Sequence, residues 1–508
     1  MFYVPLYIEL LRSRPNVVFW VAVLAQAAIW IVAPTIFYFA PPGDLAQLLA
    51  VGHEFRFDSG VGPPLAYWLA EIAFRIGGLF GVYVLAQICV VTTYWCAFTL
   101  GRAMVGPAHA VIAVLLMVGI ALLTVPSPDF GPPILAMALW AVALLHYWQA
   151  VVQARKRSWY VLGVAAALLL LASDAALILI GTLVALTALT ERGRSTLDTS
   201  EPWIVGIALT PFLFVHLLWL QGIGDSLRPV FERLRLAVAA GDNTVSWLRI
   251  LIALALAHAG LVILVVLASG WPRARAMPAP PLIRRDVDAF AKTYVKVCLI
   301  VPALLATVIA VVIGRSLPIG GAAPLVVLSG LAVVMAAGSS IALYHQRVLG
   351  FAWAGLLIVP AAFIPLLIVL LPWAAGTDLK IAQPANAMGR FFADSFERRT
   401  GRPLAIVTGD PRTAALVALA APSRPSVFFD FDPRRSPWVT VDDIRKKGAV
   451  VVWLAADTAP TPPPDIAAYF PDLVPEVPRS FDRPVQGRMS PLRVGWGVIR
   501  PGSAAAAH

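Results

Sequence analysis

Runs of about twenty consecutive apolar residues recur along this chain, and they limit its fold more than any other feature. In hydrocarbon every backbone N–H and C=O must be satisfied within the segment, so such runs span a membrane as helices. The runs lie near 16–40, 79–100, 107–125, 133–152, 159–172, 174–190, 203–221, 247–270, 296–314, 319–344 and 350–373. They predict about eleven transmembrane helices. The short runs at 159–172 and 174–190 share one polar point, Ser173-Asp174, and read as two short helices meeting at one face or as one interrupted element. The chain is 59% hydrophobic and 13% charged, where a soluble domain is about a quarter charged. The expected class is a polytopic α-helical membrane protein. The first run is followed by no small-residue cleavage site and reads as a retained span.

Eleven spans put the termini on opposite sides. With the N-terminus cytoplasmic, the inner segments carry fifteen basic residues and the outer segments seven, the asymmetry of the positive-inside rule. The segment after the first span, and everything beyond Trp373, then lie on the outer face. The formal net charge of +11 follows from this topology and from headgroup contact, so membrane lipids rather than nucleic acid are the expected partners. Cys89, Cys96 and Cys298 fall inside or beside apolar runs without metal spacing and read as small apolar fillers.

Composition changes after Trp373, which divides the chain into a membrane domain, 1–373, and an outer domain, 374–508. "LAIVTG" (404–409), "SVFFDF" (426–431) and "AVVVWLA" (449–455) read as buried strands. In "GDPRTAALVALA", Asp410 stands at a helix N-cap with Pro411 at the first helical position. Strand and helix alternate, predicting a small α/β domain. The proline-rich last stretch is expected to lie extended.

Polar residues gather beside the first span. "GDLAQLLAVGHEFRFDSGVGPPLAYWLAEIAFR" begins at Gly43 and carries Asp44, His53, Glu54, Arg56 and Asp58. Asp44 follows the Pro41-Pro42-Gly43 break, where it reads as an N-cap or as a general base; the two roles compete for its oxygens. Residues 45–57 read as an amphipathic juxtamembrane helix on the bilayer, with Leu45, Leu48, Leu49 and Phe55 toward lipid. His53, Glu54, Arg56 and Asp58 are then its solvated side or a cluster holding a phosphate or a divalent ion. His53 and Glu54 are weak metal candidates, because the metal-binding helix motif needs two histidines four apart.

Asp129 lies in the second outer loop between Pro126, Pro128, Pro132 and Pro133. It too precedes a helix, where it reads as a cap, or as a carboxylate that the proline-stiffened loop holds close to the first loop, one of the pair serving as base and the other binding an ammonium, a hydroxyl or a metal. Asp174, His216 and Arg315 lie near outer ends of spans, at a depth where ionisable groups are costly and often functional. The segment 225–243 carries Arg228, Arg233 and Arg235 between apolar positions. It reads as a further interfacial helix whose arginines grip phosphate or lipid headgroups. The chain contains no P-loop, no GxSxG and no dinucleotide fingerprint, and "GGLFG" at 77–81 reads as a turn or packing site.

The order of these features resembles the family-39 glycosyltransferases of the GT-C superfamily, which include protein O-mannosyltransferases and the aminoarabinose transferase of lipid A. The resemblance rests on Asp44 after the first span, "PPLAYWLAEIAFRIGG" leading into the second, and Asp129 before "PPILAMALWAVALLHYW". "RKRSWYVLGVAAALLLLASDAAL" and the tail phrases "TGDPRTAALVALAAPSRPSVFFDFDP", "SPWVT" and "KKGAVVVW" carry it further. It implies a bacterial inner-membrane enzyme moving a sugar, with inversion, from a polyprenyl-phosphate-linked donor to a lipid, glycan or protein acceptor at the periplasmic face. It implies Asp44 as the catalytic base and Asp129 as its acidic neighbour.

Three positions depart from the family pattern. Leu45 follows Asp44 where many members have a second acid. Val61-Gly62 stand before the double proline where many have a lysine, and Ser173-Asp174 replace a serine-lysine. The donor phosphate would then fall to other groups, among them Arg56, Arg228 and Arg315. No cofactor is implied beyond a divalent cation. A transporter or lipid flippase and a non-catalytic scaffold are the alternatives. The first would favour repeated halves and broken helices, and no internal repeat is visible.

Overall fold

The computed structural model describes residues 4–57, 62–222, 242–271, 281–284, 286–377, 379–471 and 473–502. The protein is mainly helical and multi-pass. Among the described residues, six helices are long and apolar enough to cross a membrane: Pro15–Phe37, Leu65–Val105, Pro132–Val151, Glu201–Trp219, Ala289–Val312 and Gln346–Ala374. A pair bent by 49°, Val245–Ala257 and Ala259–Ala268, makes up to seven.

Each of the eleven apolar runs does contain a helix, but several are too short to span alone. Pro107–Met117 and Ala176–Leu189 are examples. Hydropathy marks what must avoid water, and a short helix buried among others avoids it as well as a span does. The segment Leu65–Val105 is interrupted by non-helical Gly77 (φ −142°, ψ 18°) and Gly78 (φ 60°, ψ −149°). The second is a conformation essentially reserved for glycine. A Cβ on Gly81 would lie 2.3 Å from the Ala73 carbonyl oxygen. "GGLFG" is thus both a break and a packing site.

The chain forms two compact units, 1–32 with 84–361, and 33–83 with 362–508. They divide differently from the compositional boundary at Trp373.

In the first unit Pro132–Val151 packs closely on Lys156–Leu170, and Lys156–Leu170 on Glu201–Gly222. Small residues permit close approach: a Cβ on Gly330 would lie 2.1 Å from the Ala113 carbonyl oxygen. Tyr294, fully buried, donates from its hydroxyl to the Leu144 carbonyl at 2.8 Å.

The second unit holds the α/β fold. Its five-stranded sheet runs in the order Ser426–Phe429, Ile406–Gly409, Ala449–Leu454, Leu492–Ile499, Pro475–Phe481. The first three strands are parallel and the last two pair antiparallel. The parallel strands are almost continuously buried, as expected of strands covered on both faces. Helix Pro411–Ala420 starts as its sequence predicts: Asp410 Oδ2 accepts from the Thr413 N–H at 2.8 Å and from its hydroxyl at 2.6 Å. The proline-rich end is extended, and two of its segments complete the sheet.

One expectation is overturned. The helix after the first span, Leu45–His53, does not present a leucine face to lipid. Leu45, Leu48 and Leu49 are buried, as are Ala46, Ala50 and Val51. The helix packs on Pro411–Ala420, and Ala46, Ala50 and Val51 join Phe392, Phe396 and Val417 in one core. A helix apolar on most of its circumference is a buried helix rather than an interfacial one.

Candidate functional site

Asp44 occupies the N-cap position of Leu45–His53, yet its side chain makes no capping hydrogen bond. The residue is exposed. Its carboxylate is therefore not consumed by the helix end.

The loop before it is held by a residue that sequence reasoning passed over. Arg412, in the first turn of Pro411–Ala420, donates to the Gly43 carbonyl, to Pro41 O at 3.4 Å and to Lys380 O at 3.1 Å. Its Nε donates to Gln383 Oε1 at 3.2 Å. Phe39 and Ala40 also bond the Ile381 carbonyl, at 3.0 and 2.9 Å. Gly43 sits at φ 48°, the left-handed region a glycine enters without strain. The signal was present in "GDPRT", where the arginine follows a proline at a helix start, but only folding brings it to residue 43.

The other polar residues of this segment have separate partners. His53 Nδ1 lies 3.2 Å from Glu71 Oε1. Glu71 is 1% exposed and also accepts from Arg75 Nε at 3.0 Å and from an Arg424 NH2 group at 2.8 Å. Arg75 stacks over Phe55 and Arg424 over Phe74, each 4.7 Å from the ring centroid. Burial pulls the Arg424 guanidinium below its ordinary value, and Glu71 opposes that shift. Arg424 reaches this position from a left-handed backbone, φ 47°.

Arg56 donates to the Pro437 carbonyl at 3.1 Å. Glu54 is half-buried, with Oε1 buried and unbonded among the described residues. No group of three or more His, Cys, Asp and Glu that could hold a metal forms among the described residues. Asp58 lies outside them.

In the first unit, Asp129 is half-buried at the end of the loop that enters Pro132–Val151. Gly131, not Asp129, holds the cap position. Polar side chains from membrane helices secure this loop. Gln26 donates to the Leu123 carbonyl at 2.8 Å and accepts from the Tyr94 hydroxyl at 3.0 Å. Gln87 donates to Ser127 Oγ at 3.0 Å, and Ser127 donates to the Thr124 carbonyl at 2.6 Å. All four side chains are buried. Glutamines inside apolar runs were the signal for this network, because an unpartnered amide there is costly. Gln87→Leu removes one tie while keeping the volume. Amide exchange across 120–131 is expected to accelerate by about tenfold, with helix content unchanged.

Asp174 and Arg315 are brought together, Oδ2 to NH1 at 3.8 Å. The turn carrying Arg315 returns against two helix starts: Cβ atoms on Gly320 and Gly321 would lie 2.3 Å from Ala175 Cβ and 2.7 Å from Pro133. His216 is fully buried. Its Nδ1 lies 2.7 Å from the Leu170 carbonyl, so the proton sits there, and Nε2 is buried and unbonded among the described residues. Arg228, with Arg233 and Arg235, lies outside the described residues.

The sequence matches one family model over the region between these two acidic loops and beyond. Residues 61–219 match the dolichyl-phosphate-mannose-protein mannosyltransferases. The match bears out the resemblance to GT-C transferases read from the sequence. It includes Glu71, Asp129, Asp174 and His216, and leaves out Asp44, His53, Glu54, Arg56, Arg228 and Arg315.

Among solved structures, ArnT from Cupriavidus metallidurans bound to undecaprenyl phosphate is similar at 13% identity, with a TM-score of 0.48 over 96% of this chain and 98% of that one. AglB, the archaeal oligosaccharyltransferase of Archaeoglobus fulgidus in complex with an inhibitory peptide and a dolichol-phosphate, is similar at 13% identity, with a TM-score of 0.42 over 87% of this chain and 70% of that one. No curated protein matches the chain significantly.

Proposed function

We propose that this protein is a membrane glycosyltransferase that moves a sugar from a polyprenyl-phosphate-linked donor to the hydroxyl of a lipid or glycan acceptor at the periplasmic face. One observation carries the proposal: Asp44 stands at a helix cap without capping, exposed, in a loop fastened by Arg412. A carboxylate held by its backbone and, among the described residues, not bonded through its oxygens is suited to accept a proton. The family match over 61–219 supports the reaction class.

In the reaction the acceptor oxygen attacks the anomeric carbon. A new C–O bond forms as the bond to the donor phosphate oxygen breaks. The acceptor proton passes to Asp44, and the electron pair leaves with the lipid phosphate. A single displacement inverts the anomeric centre. In the first unit Asp129, whose loop is secured by the buried Gln26 and Gln87 side chains, is a separate acidic candidate. Arg56, in the same unit as Asp44, is a described basic candidate for charge developing on the phosphate, and Arg315, paired with Asp174, is the candidate in the first unit. His216 is assigned to helix packing, because its ring is enclosed and its proton is used by Leu170.

The broken pair Val245–Ala257 and Ala259–Ala268 is a feature that favours a transporter. Its break is closed internally, however. The Leu261 N–H donates to the Gly119 carbonyl at 3.0 Å, and His258 bonds Leu254 O at 2.7 Å and Ser329 Oγ at 2.9 Å. Those groups are engaged and are not presented to a passing ion.

Purified protein, a synthetic prenyl-phosphate sugar and membrane glycolipid should together yield a glycolipid heavier by one sugar, with the anomeric configuration opposite to the donor's. A product retaining the donor configuration, or no product with any glycolipid, peptide or glycan acceptor, refutes the mechanism.

A further inference from the structure

The second unit contains a cleft of about 360 Å³ that the transfer reaction does not use. It shares no lining residue with the Asp44 loop. Arg483, Arg488 and Arg493 line it together with Ser490, and among the described residues no acidic side chain does. Arg483 Nε donates to the Ser490 carbonyl at 3.0 Å, which fixes that guanidinium against the turn. Arg493 Nε is buried and has no hydrogen-bond partner among the described residues. A buried guanidinium N–H without an acceptor is costly, and an anion would satisfy it.

The position of the cleft indicates where that anion comes from. Gly376, in its wall, follows the membrane-crossing helix Gln346–Ala374 by two residues. The Arg488 N–H donates to the Pro372 carbonyl at 3.0 Å. A Cβ on Gly487 would lie 2.5 Å from Pro372. The arginine turn is thus fastened to the last turn of a span, beside Trp373, which is 54% exposed. Tryptophan at a helix end marks the headgroup level of a bilayer. Leu454, 53% exposed, and Met489 add apolar wall, which a free phosphate ion does not need and a lipid does.

We propose that this cleft binds the phosphate ester of an anionic lipid headgroup. The lipid would occupy the level at which the last span leaves the bilayer and would tie the α/β unit to that surface.

The test uses the full chain in neutral detergent with hydrogen–deuterium exchange of 481–493 as the readout. Dioctanoyl phosphatidylglycerol is expected to slow exchange in this segment, whereas dioctanoyl phosphatidylcholine and inorganic phosphate at the same concentration are not. Arg488→Ala with Arg493→Ala should weaken the protective effect by about fivefold per arginine lost. Arg488→Lys with Arg493→Lys should keep most of it. Arg488 is exposed, so Arg488→Ala alone tests the cleft without disturbing a core. Equal protection by both lipids overturns the proposal, because charge would then not be read. Protection by inorganic phosphate but not by phosphatidylglycerol overturns the lipid assignment. Unchanged protection in Arg488→Ala and in the double alanine variant removes the site.

Discussion

Asp44→Asn should reduce sugar transfer by a factor of about 10²–10⁴, the usual contribution of a positioned general base. Insertion and stability should be unchanged, because the side chain makes no capping bond and lies exposed. Asparagine keeps the shape and any hydrogen bond to the acceptor but cannot take its proton, so the loss should fall on kcat rather than KM.

Arg412→Gln probes the same loop from behind. It releases the ties to Gly43 and Pro41 without touching the carboxylate. A drop in kcat of about ten- to hundredfold is expected, since small misplacements of a reacting group are expensive. Arg412→Lys should recover part of it. Both changes are read with the same prenyl-phosphate-sugar assay. Full activity in Asp44→Asn would leave the residue as loop structure only and would move the search for a base to Asp129.

Glu71→Ala should produce the largest loss of stability of any single polar change in the second unit. One buried carboxylate answers His53, Arg75 and Arg424 at 3.2, 3.0 and 2.8 Å. Its removal strands a largely buried guanidinium on a strained backbone. Breaking a buried pair from one side costs about 3–5 kcal/mol. For a unit of this size that is about 6–20 °C in the melting temperature. Differential scanning fluorimetry of the detergent-solubilised protein measures it. Asp442→Asn is the contrast: its pair with Arg445, 3.7 Å apart, has both side chains about three-quarters exposed, and its loss should register within about 0.5 kcal/mol. A melting temperature for Glu71→Ala equal to that of Asp442→Asn would show that the buried network carries no net stability.

The sequence by itself determined the class of the molecule, the α/β character of its tail and the start of the Pro411–Ala420 helix. These follow from local rules: apolar length, strand-like runs between turn residues, and an aspartate-proline pair at a helix N-terminus. It also singled out Asp44 and Asp129 by their places after apolar runs.

What tertiary structure decided is which local patterns are overruled by neighbours. Leu45–His53 has the composition of a lipid-facing helix, yet Pro411–Ala420 covers it, because apolar surface gains as much against protein as against hydrocarbon. Among the described residues the eleven apolar runs supply six helices, or up to seven with the bent pair, long and apolar enough to span, since hydropathy records the avoidance of water and not the crossing of a bilayer. Arg412 and Gly43, or Glu71 and Arg424, lie hundreds of positions apart in the chain, and no periodicity links them. Their pairing is fixed only when a buried charge must find its counter-charge or a loop carbonyl its donor. That long-range satisfaction of polar groups, invisible to any sequence window, holds the proposed catalytic carboxylate in place.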